Sequence, residues 1–403
     1  YANYVKIVRE KSILRQIILS QSHTIERAFS AEDAEKLLNE AGDEIFKISE
    51  QGYRSKLTSV NEILGSVMDD IEKRKDPRYR FGIPTGFAGV QEITNGLQPS
   101  DLVILAARPS VGKTALGMNI ITNIAQNLER KDEEGKVKRY RCAVFSLEMS
   151  KEQLVQRMLC SVGGVSMSKA LQGKLEASDW TKIIAAQKKL AQCDIYIDDS
   201  SAIKPADIMN KCTKLKREKG LDIVLIDYLQ LMQGDERRIE NRTQEIANIT
   251  RYIKMAAKEL KLPIILLSQL SRDMSKEKRK PQLSDLRESG AIEQDADIVM
   301  FLHRDDAKTD GGADESKHEL IFGKHRNGRL GSMPLKWTGE FVRFEDDITD
   351  PHTKRTVDRE SGAPPAERAR TVTGMSGDDV IFDDYGDAQK IEKAEEYEDN
   401  EEL

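Results

Sequence analysis

Cysteine is scarce in this chain: four in 403 residues, at 142, 160, 193 and 212, with no C-x-x-C pair among them. That spacing argues against a disulfide framework or a zinc site and fits free, mostly buried thiols in a reducing compartment. The five histidines, at 23, 303, 318, 325 and 352, show no metal spacing either. Long apolar runs are missing. The longest, LVILAA and PIILL, are strand-sized and far below the roughly 20 residues of a membrane span, and no signal-peptide pattern appears. A cytoplasmic protein with no membrane partner is expected. The chain begins at Tyr1 rather than at a methionine, so a preceding segment is expected.

What is present is an ordinary globular composition, 38% hydrophobic and 33% charged, long enough for two or three domains. The net charge of −6 hides an asymmetry. Residues 374–403 hold twelve acids and two lysines, a local charge of −10, which leaves the other 373 residues at +4. A nucleic-acid partner is therefore compatible with the charge balance.

Four segments follow from the patterning. Residues 1–56 read as helical. Tyr1, Tyr4, Val5, Val8, Leu14, Ile17 and Ile18 keep one stripe, and Ser30 with Asp33 marks the start of a second helix carrying Ala34, Leu37, Leu38, Ala41 and Ile45. Residues 57–82 read as a linker. Its helix starts at a Ser59/Glu62 capping box, presents Val60, Ile63, Leu64, Val67, Met68 and Ile71 on one face, and ends before Pro77. Such a short amphipathic helix needs a surface to cover its stripe, on its own domain or on a neighbouring subunit. From 83 to 347 the pattern is α/β. Apolar runs DLVILAA, CAVFSL, DIYIDD, DIVLID, PIILLS and DIVMFLH alternate with amphipathic stretches, as in a mainly parallel twisted sheet flanked by helices. Residues 348–403 are polar, then acidic, and read as disordered. The charged stretch 129–139, ERKDEEGKVKR, reads as a surface loop.

The chemistry begins at ARPSVGKT, residues 107–114. Its end matches the phosphate-binding loop G-x-x-x-x-G-K-S/T, although Ala107 replaces the first glycine. A strand leads in and a helix leads out, so backbone N–H groups of Ser110, Val111, Gly112 and Ala115 are placed to cradle phosphates. Lys113 would neutralise phosphate oxygens and Thr114 would ligate Mg²⁺. Asp227 closes the apolar run DIVLID, where a carboxylate supporting the metal belongs. Tyr228 follows it rather than an acid, so the residue polarising the attacking water must come from another strand. Glu148, at the end of VFSLE, is the candidate. Gln269, ending LLSQ, is placed to sense the terminal phosphate. Polar residues closing neighbouring strands converge on the carboxyl edge, where open α/β sheets bind ligands.

The motifs AARPSVGKT, FSLEMS, IYIDDSS, IDYLQLM, SQLSR, DLRESGAIEQDADIVMF and GKHRNG appear in the order found in DnaB-type replicative helicases, and the chain resembles that family over residues 57–345. The resemblance implies a RecA-like P-loop motor domain preceded by a helical hairpin and the linker helix. It also implies ATP and Mg²⁺ as cofactors and a homohexameric ring with each ATP site between neighbouring subunits. The ring would translocate 5′ to 3′ on single-stranded DNA and unwind duplex at the replication fork, with a primase and a helicase loader as partners. Alanine at the first position of the loop is usual in the family. Arg326 resembles the arginine finger supplied in trans, Lys324 its basic companion, and Arg157 the arginine that stacks on the nucleotide base. Arg287, Glu288 and Gly290 resemble the residues that grip the DNA backbone, within two candidate strand-contact stretches, 233–243 and 272–290. Few aromatics interleave these stretches, which fits backbone gripping better than base stacking. The Lys/Arg run 276–280 reads either as a DNA contact or as a solvated turn. The rival reading is a RecA-type ATPase that forms a strand-exchange filament or a protein-remodelling ring without unwinding; a filament former has no need of the helix at 58–73.

Overall fold

A computed structural model describes residues 2–30, 34, 37, 40–42, 44, 58–73, 75, 82–127, 129–131, 137–232, 242–270, 279–286, 289–305, 317–350 and 353. It divides into two compact units, Tyr1–Phe81 and Gly82–Leu403.

In the first unit a single helix runs over Ala2–Ser30. Residues 34, 37, 40–42 and 44 are also helical, and Arg27 pairs with Glu40 while the Ser20 hydroxyl donates to Glu44 at 2.8 Å. These links tie the two arms of the expected hairpin; Asp33 and Ile45 lie outside the described residues. The expected linker helix spans Val60–Lys73, with the Glu62 N–H donating to the Ser59 carbonyl. All six residues of its apolar stripe are exposed, from 44% for Ile63 and Val67 to 71% for Val60.

The second unit is built on a nine-stranded sheet. The strands are β1 (Leu102–Ala107), β4 (Arg141–Ser146), β5 (Asp194–Asp198), β6 (Ile223–Asp227), β7 (Ile264–Gln269), β8 (Ile298–Asp305), β9 (Lys317–His325), β10 (Gly331–Thr338) and β11 (Arg343–Asp346); β2 (Glu129–Lys131) and β3 (Val137–Arg139) stand apart. The order is β11-β10-β9-β8-β1-β7-β6-β4-β5. From β8 to β5 every neighbouring pair is parallel, and β9, β10 and β11 extend the sheet antiparallel. The strand β1 lies at the centre and is buried on both faces, hence its unbroken apolar run. Alternate residues serve opposite cores. Val103, Leu105 and Ala107 join Leu116, Ile120 and Ile124 of the helix Lys113–Asn127, whereas Leu102, Ile104 and Ala106 join Ile246, Ile249 and Ile253 of the helix Arg242–Leu260. Gly117 lets the first helix sit close, because a Cβ there would meet methyls of Leu225 and Leu267 at 3.3 Å.

Two expectations change. The stretch 129–139 contains a two-stranded antiparallel ribbon, β2 with β3, rather than an irregular loop. The basic stretch GKHRNG is the end of β9 and the turn after it, and β9–β11 were not foreseen at all. Their residues lack the continuous apolar runs that mark strands buried on both faces. The expected acidic tail beyond Thr353 lies outside the described residues.

The amino end of β1 is pinned by charge. Asp297, 4% exposed, accepts the Leu102 N–H at 2.8 Å and ion-pairs with Lys254, whose ammonium also reaches the Ser100 carbonyl. Beside it Asp101 is pushed up to about 6, by burial first and then by the Asp297 charge. Between its ordinary value and about 6, the folded state therefore keeps a proton that the unfolded chain has released. The sign follows: stability is unaffected well below that window and falls as pH rises through it. Asp101→Asn carries no charge to bury, so its melting temperature should exceed that of the unsubstituted chain by a few degrees at pH 8 and match it near pH 4. Thermal melts at the two pH values check this, and an equal gain at both would contradict it.

Candidate functional site

Four chain positions meet at the carboxyl edge of the parallel strands. β1 ends at Ala107, in register with Gln269 of β7, and Ser146 of β4 is in register with Asp227 of β6. Ala107 stays in the ladder with ordinary extended geometry, so the missing first glycine costs the loop nothing. The glycine that the turn does require is Gly112. Its φ is +105°, and a Cβ there would meet the Phe344 ring at 3.0 Å. Ser110 is left-handed too, at φ 63°. Val111 and Ala115 are buried beneath the loop, and the helix it opens begins at Lys113. Exposed N–H groups at a helix start form a cradle for anions.

Lys113 and Thr114 both turn to Asp227. The Thr114 hydroxyl donates to Asp227 Oδ2 at 2.6 Å, and Lys113 Nζ stands 3.4 Å from Oδ1. That Oδ1 is buried and makes no hydrogen bond, which leaves an anionic oxygen atom free to accept a further donor. Lys113 also lies 3.9 Å over the Tyr228 ring. Burial lowers the lysine's pKa, while the charges of Asp227 and Glu148 oppose the shift. Tyr228 is raised by burial and by the same two carboxylates, Glu148 ahead of Asp227. Glu148, two residues past the end of β4, therefore sits within electrostatic reach of Lys113 and Tyr228. It is exposed, on a turn closed by reciprocal bonds between the Ser146 hydroxyl and the Met149 backbone, and the Leu147 N–H donates to the Asp227 carbonyl at 2.7 Å. Arg157 is half-buried on the helix Lys151–Gly163, which a Ser150/Gln153 capping box starts.

Lys324 and Arg326 are not part of this cluster. β9 runs antiparallel to β8, so its end returns to the amino edge, where Ile298 faces His325. There Arg326 pairs with Asp297 at 3.3 Å and donates to the Gln294 carbonyl at 3.1 Å, with its side chain 51% exposed. Lys324 donates to the carbonyls of Glu293 and, at 2.8 Å, Ala296. Burial and the Arg326 charge lower its pKa. Both cations thus hold the last carbonyls of the helix Ser289–Asp295, a favourable place for positive charge. Asp297 also binds Leu102, at the far end of β1 from the P-loop. The basic pair and Lys113 are therefore separated by about the length of β1, roughly 17 Å at the usual rise of a strand.

Gly290 is exposed, with open space around its Cα; Arg287 and Glu288 lie outside the described residues. Of the run 276–280, Arg279 forms a two-bond pair with Asp285 at 2.7 Å and Lys280 pairs with Glu319. These two cations are neutralised within the chain. Asp297, the Lys113–Tyr228 stacking and Gln230, which bonds to β7, were not read from sequence. Their partners lie on other strands, and no local spacing announces them. Among the described residues no group of three or more His, Cys, Asp or Glu is placed to hold a metal.

Residues 82–346 match the family described as DnaB-like helicase C-terminal domain. The chain is 43% identical to replicative DNA helicase DnaB of Geobacillus stearothermophilus over 85% of its own length and 74% of the relative's. It is 42% identical to replicative DNA helicase DnaC of Bacillus subtilis, over 90% and 77%. Among solved structures, a DnaB-like replicative helicase studied for its interactions with primase superposes with a TM-score of 0.70 at 30% identity, covering 86% of this chain and 78% of that one. A second solved structure, an ATPase domain on its own, gives 0.64 at 33% identity, over 72% and 99%. A P-loop on the central strand of a RecA-like sheet, matched by these relatives over most of the chain, places it in the DnaB family of ATP-hydrolysing replicative DNA helicases.

Proposed function

We propose that the chain works as a homohexameric ring that translocates 5′ to 3′ on single-stranded DNA and completes each ATP site with residues of the next subunit. The observation that carries this reading is the separation of Lys113 from Arg326 across the sheet. One chain holds the phosphate cradle, and its own basic pair faces away at the opposite edge. A guanidinium half exposed on that edge is suited to reach a neighbour's γ-phosphate.

Within the site, backbone N–H groups of residues 110–115 bind the phosphates and Lys113 shifts from Asp227 to the β/γ oxygens. Arg157 packs on the base, and Gln269 senses the terminal phosphate. Glu148 takes a proton from the attacking water. The oxygen donors at Thr114 and Asp227 suit Mg²⁺, a hard cation that accepts oxygen ligands and is usually held together with substrate phosphates. The unbonded Oδ1 of Asp227 fits that use. Bound there, the ion would neutralise charge on the phosphates. Arg287, Glu288 and Gly290 would grip the strand backbone. A primase is a fitting partner, since a structural relative was solved for that interaction. A loader is a second partner, and the replication fork in the cytoplasm is the place of action. Among the described residues no helix is long and apolar enough to cross a membrane.

Strand displacement on a forked DNA substrate, with and without ATP, tests the reading, run beside native mass. ATP hydrolysis without displacement by an intact ring would reject it in favour of a remodelling ring, and an open filament would reject the ring. The exposed stripe of the helix Val60–Lys73 supplies the subunit contact. Ile63→Asp should dissociate the hexamer while leaving subunits folded, because an unpaired carboxylate in that contact is costly and the stripe is exposed in the single chain. Sedimentation at the unchanged hexamer mass would contradict this.

A further inference from the structure

Gln230 lies just beyond Asp227 and takes no part in the site described above. Its carboxamide turns to β7 and pairs with both backbone groups of one residue, Gln269. Nε2 donates to the Gln269 carbonyl at 3.3 Å and to the Ser268 hydroxyl at 3.0 Å, and Oε1 accepts the Gln269 N–H at 3.2 Å. The side chain thereby continues the β6–β7 pairing past its last backbone rung, Ile226 with Leu266. The main chain of the same residue faces the other way. Its carbonyl accepts Arg242 Nη2 at 2.7 Å, and Arg242, the first residue of the helix Arg242–Leu260, also pairs with Glu245.

These bonds meet at the bases of both candidate strand-contact segments. The stretch 233–243 follows soon after Gln230, and the Arg242–Gln230 bond ties its far end back to the residue just before it. The stretch 272–290 follows directly beyond Gln269 and Leu270, and a bridge pairs Leu270 with Leu286, just before Arg287. One neutral side chain therefore clasps the backbone of Gln269 while its own peptide holds the helix behind the other segment. A carboxamide is the group that suits this position, because it must donate to the carbonyl and accept from the N–H of the same residue. Ser268 is fully buried, so losing the donor also strands a hydroxyl.

We infer that Gln230 is a positioning residue that couples nucleotide occupancy at Gln269 to the grip on single-stranded DNA. The inference rests on the reading of Gln269 and of Arg287, Glu288 and Gly290 given under Proposed function. It acts through backbone placement and touches neither nucleotide nor strand.

The test uses the full chain with Gln230→Leu, which keeps bulk and removes every amide bond. ATPase is measured with and without an oligothymidine strand, together with strand affinity in ADP and in a non-hydrolysable ATP analogue. Basal ATPase should stay close to that of the unsubstituted protein, while the melting temperature falls by a few degrees for the buried bonds lost. Stimulation of the ATPase by the strand, and the ratio of strand affinities in the two nucleotides, should fall by the order of a coupling factor, about 5–150-fold, toward one. Binding linkage requires the reciprocal effect: the strand should lose its influence on analogue affinity. Gln230→Glu retains the acceptor for the Gln269 N–H, removes both donors and should show the same loss. It carries the test by itself if Gln230→Leu does not fold. Unchanged stimulation and affinity ratio would overturn the inference, as would a proportional fall of basal and stimulated rates, which marks a purely structural role. If the unsubstituted protein shows no strand stimulation and no nucleotide-dependent strand affinity, the reading of Arg287, Glu288 and Gly290 fails instead.

Discussion

Glu148→Gln should bind ATP as the unsubstituted protein does and hydrolyse it about 10²–10⁴-fold more slowly, the usual contribution of a general base. The two halves of this expectation come from different groups. Binding depends on the backbone cradle, on Lys113 and on Thr114, whose side chains turn to Asp227 rather than to Glu148. Hydrolysis depends on a carboxylate that accepts a proton, and the amide keeps the shape without the basicity. The local fold should survive, because the turn after β4 is closed by Ser146 and Met149 rather than by the Glu148 side chain. Asp227 does not replace it. One of its oxygens accepts from Thr114, and the other is the one proposed to face Mg²⁺. Binding of a fluorescent ATP analogue and steady-state turnover with saturating DNA separate the two effects. Turnover at the normal rate would place the base elsewhere, whereas loss of binding would make Glu148 part of the phosphate cradle.

Legibility differed along the chain for physical reasons. β1, β4, β6, β7 and β8 announce themselves because strands covered on both faces need near-continuous apolar runs, as in LVILAA and the IILL of IILLSQ. β9 breaks that rule. It carries charge at Glu319 and Lys324, buries a histidine at 318, and includes Gly323, which leaves room for the Phe301 ring. Lys113, Thr114 and Asp227 were readable because a phosphate loop and a strand-ending acid are local signals, and parallel topology brings them to one edge. Asp297 was not. Its partners are Leu102, Lys254 and Arg326, on three separate stretches of chain, and only the sheet order makes them neighbours. The roles of Lys324 and Arg326 came from family resemblance alone; the antiparallel return of β9 adds the reason they cannot serve their own P-loop.

That geometry leads to the second large effect. Arg326→Ala subunits should bind ATP nearly normally, since the substitution lies at the opposite sheet edge from Lys113. Hydrolysis should collapse by about 10³–10⁵-fold, the range for arginine fingers in phosphoryl transfer. Lys113→Ala subunits should fail for a different reason, through loss of a phosphate partner in their own cradle. Mixed, the two defective proteins should regain activity. Where an intact P-loop from an Arg326→Ala subunit meets the intact Arg326 of a Lys113→Ala neighbour, one complete site is restored. A cis arrangement predicts no recovery at any ratio, because no subunit in the mixture holds both residues. ATPase rate against mixing ratio, with DNA present and after subunit exchange, reads the outcome, and native mass of differently tagged subunits reports the mixed rings. Mixed rings that form and stay inactive would reject the trans assignment. The same mixtures test how Arg326 is held. The guanidinium rests on Asp297 and on the Gln294 carbonyl, with half of its surface open. Rescue therefore requires only that it extend from an existing anchor, and a Lys113→Ala partner that also carries Arg326→Lys should rescue poorly, since lysine lacks the planar fork that holds two acceptors at once.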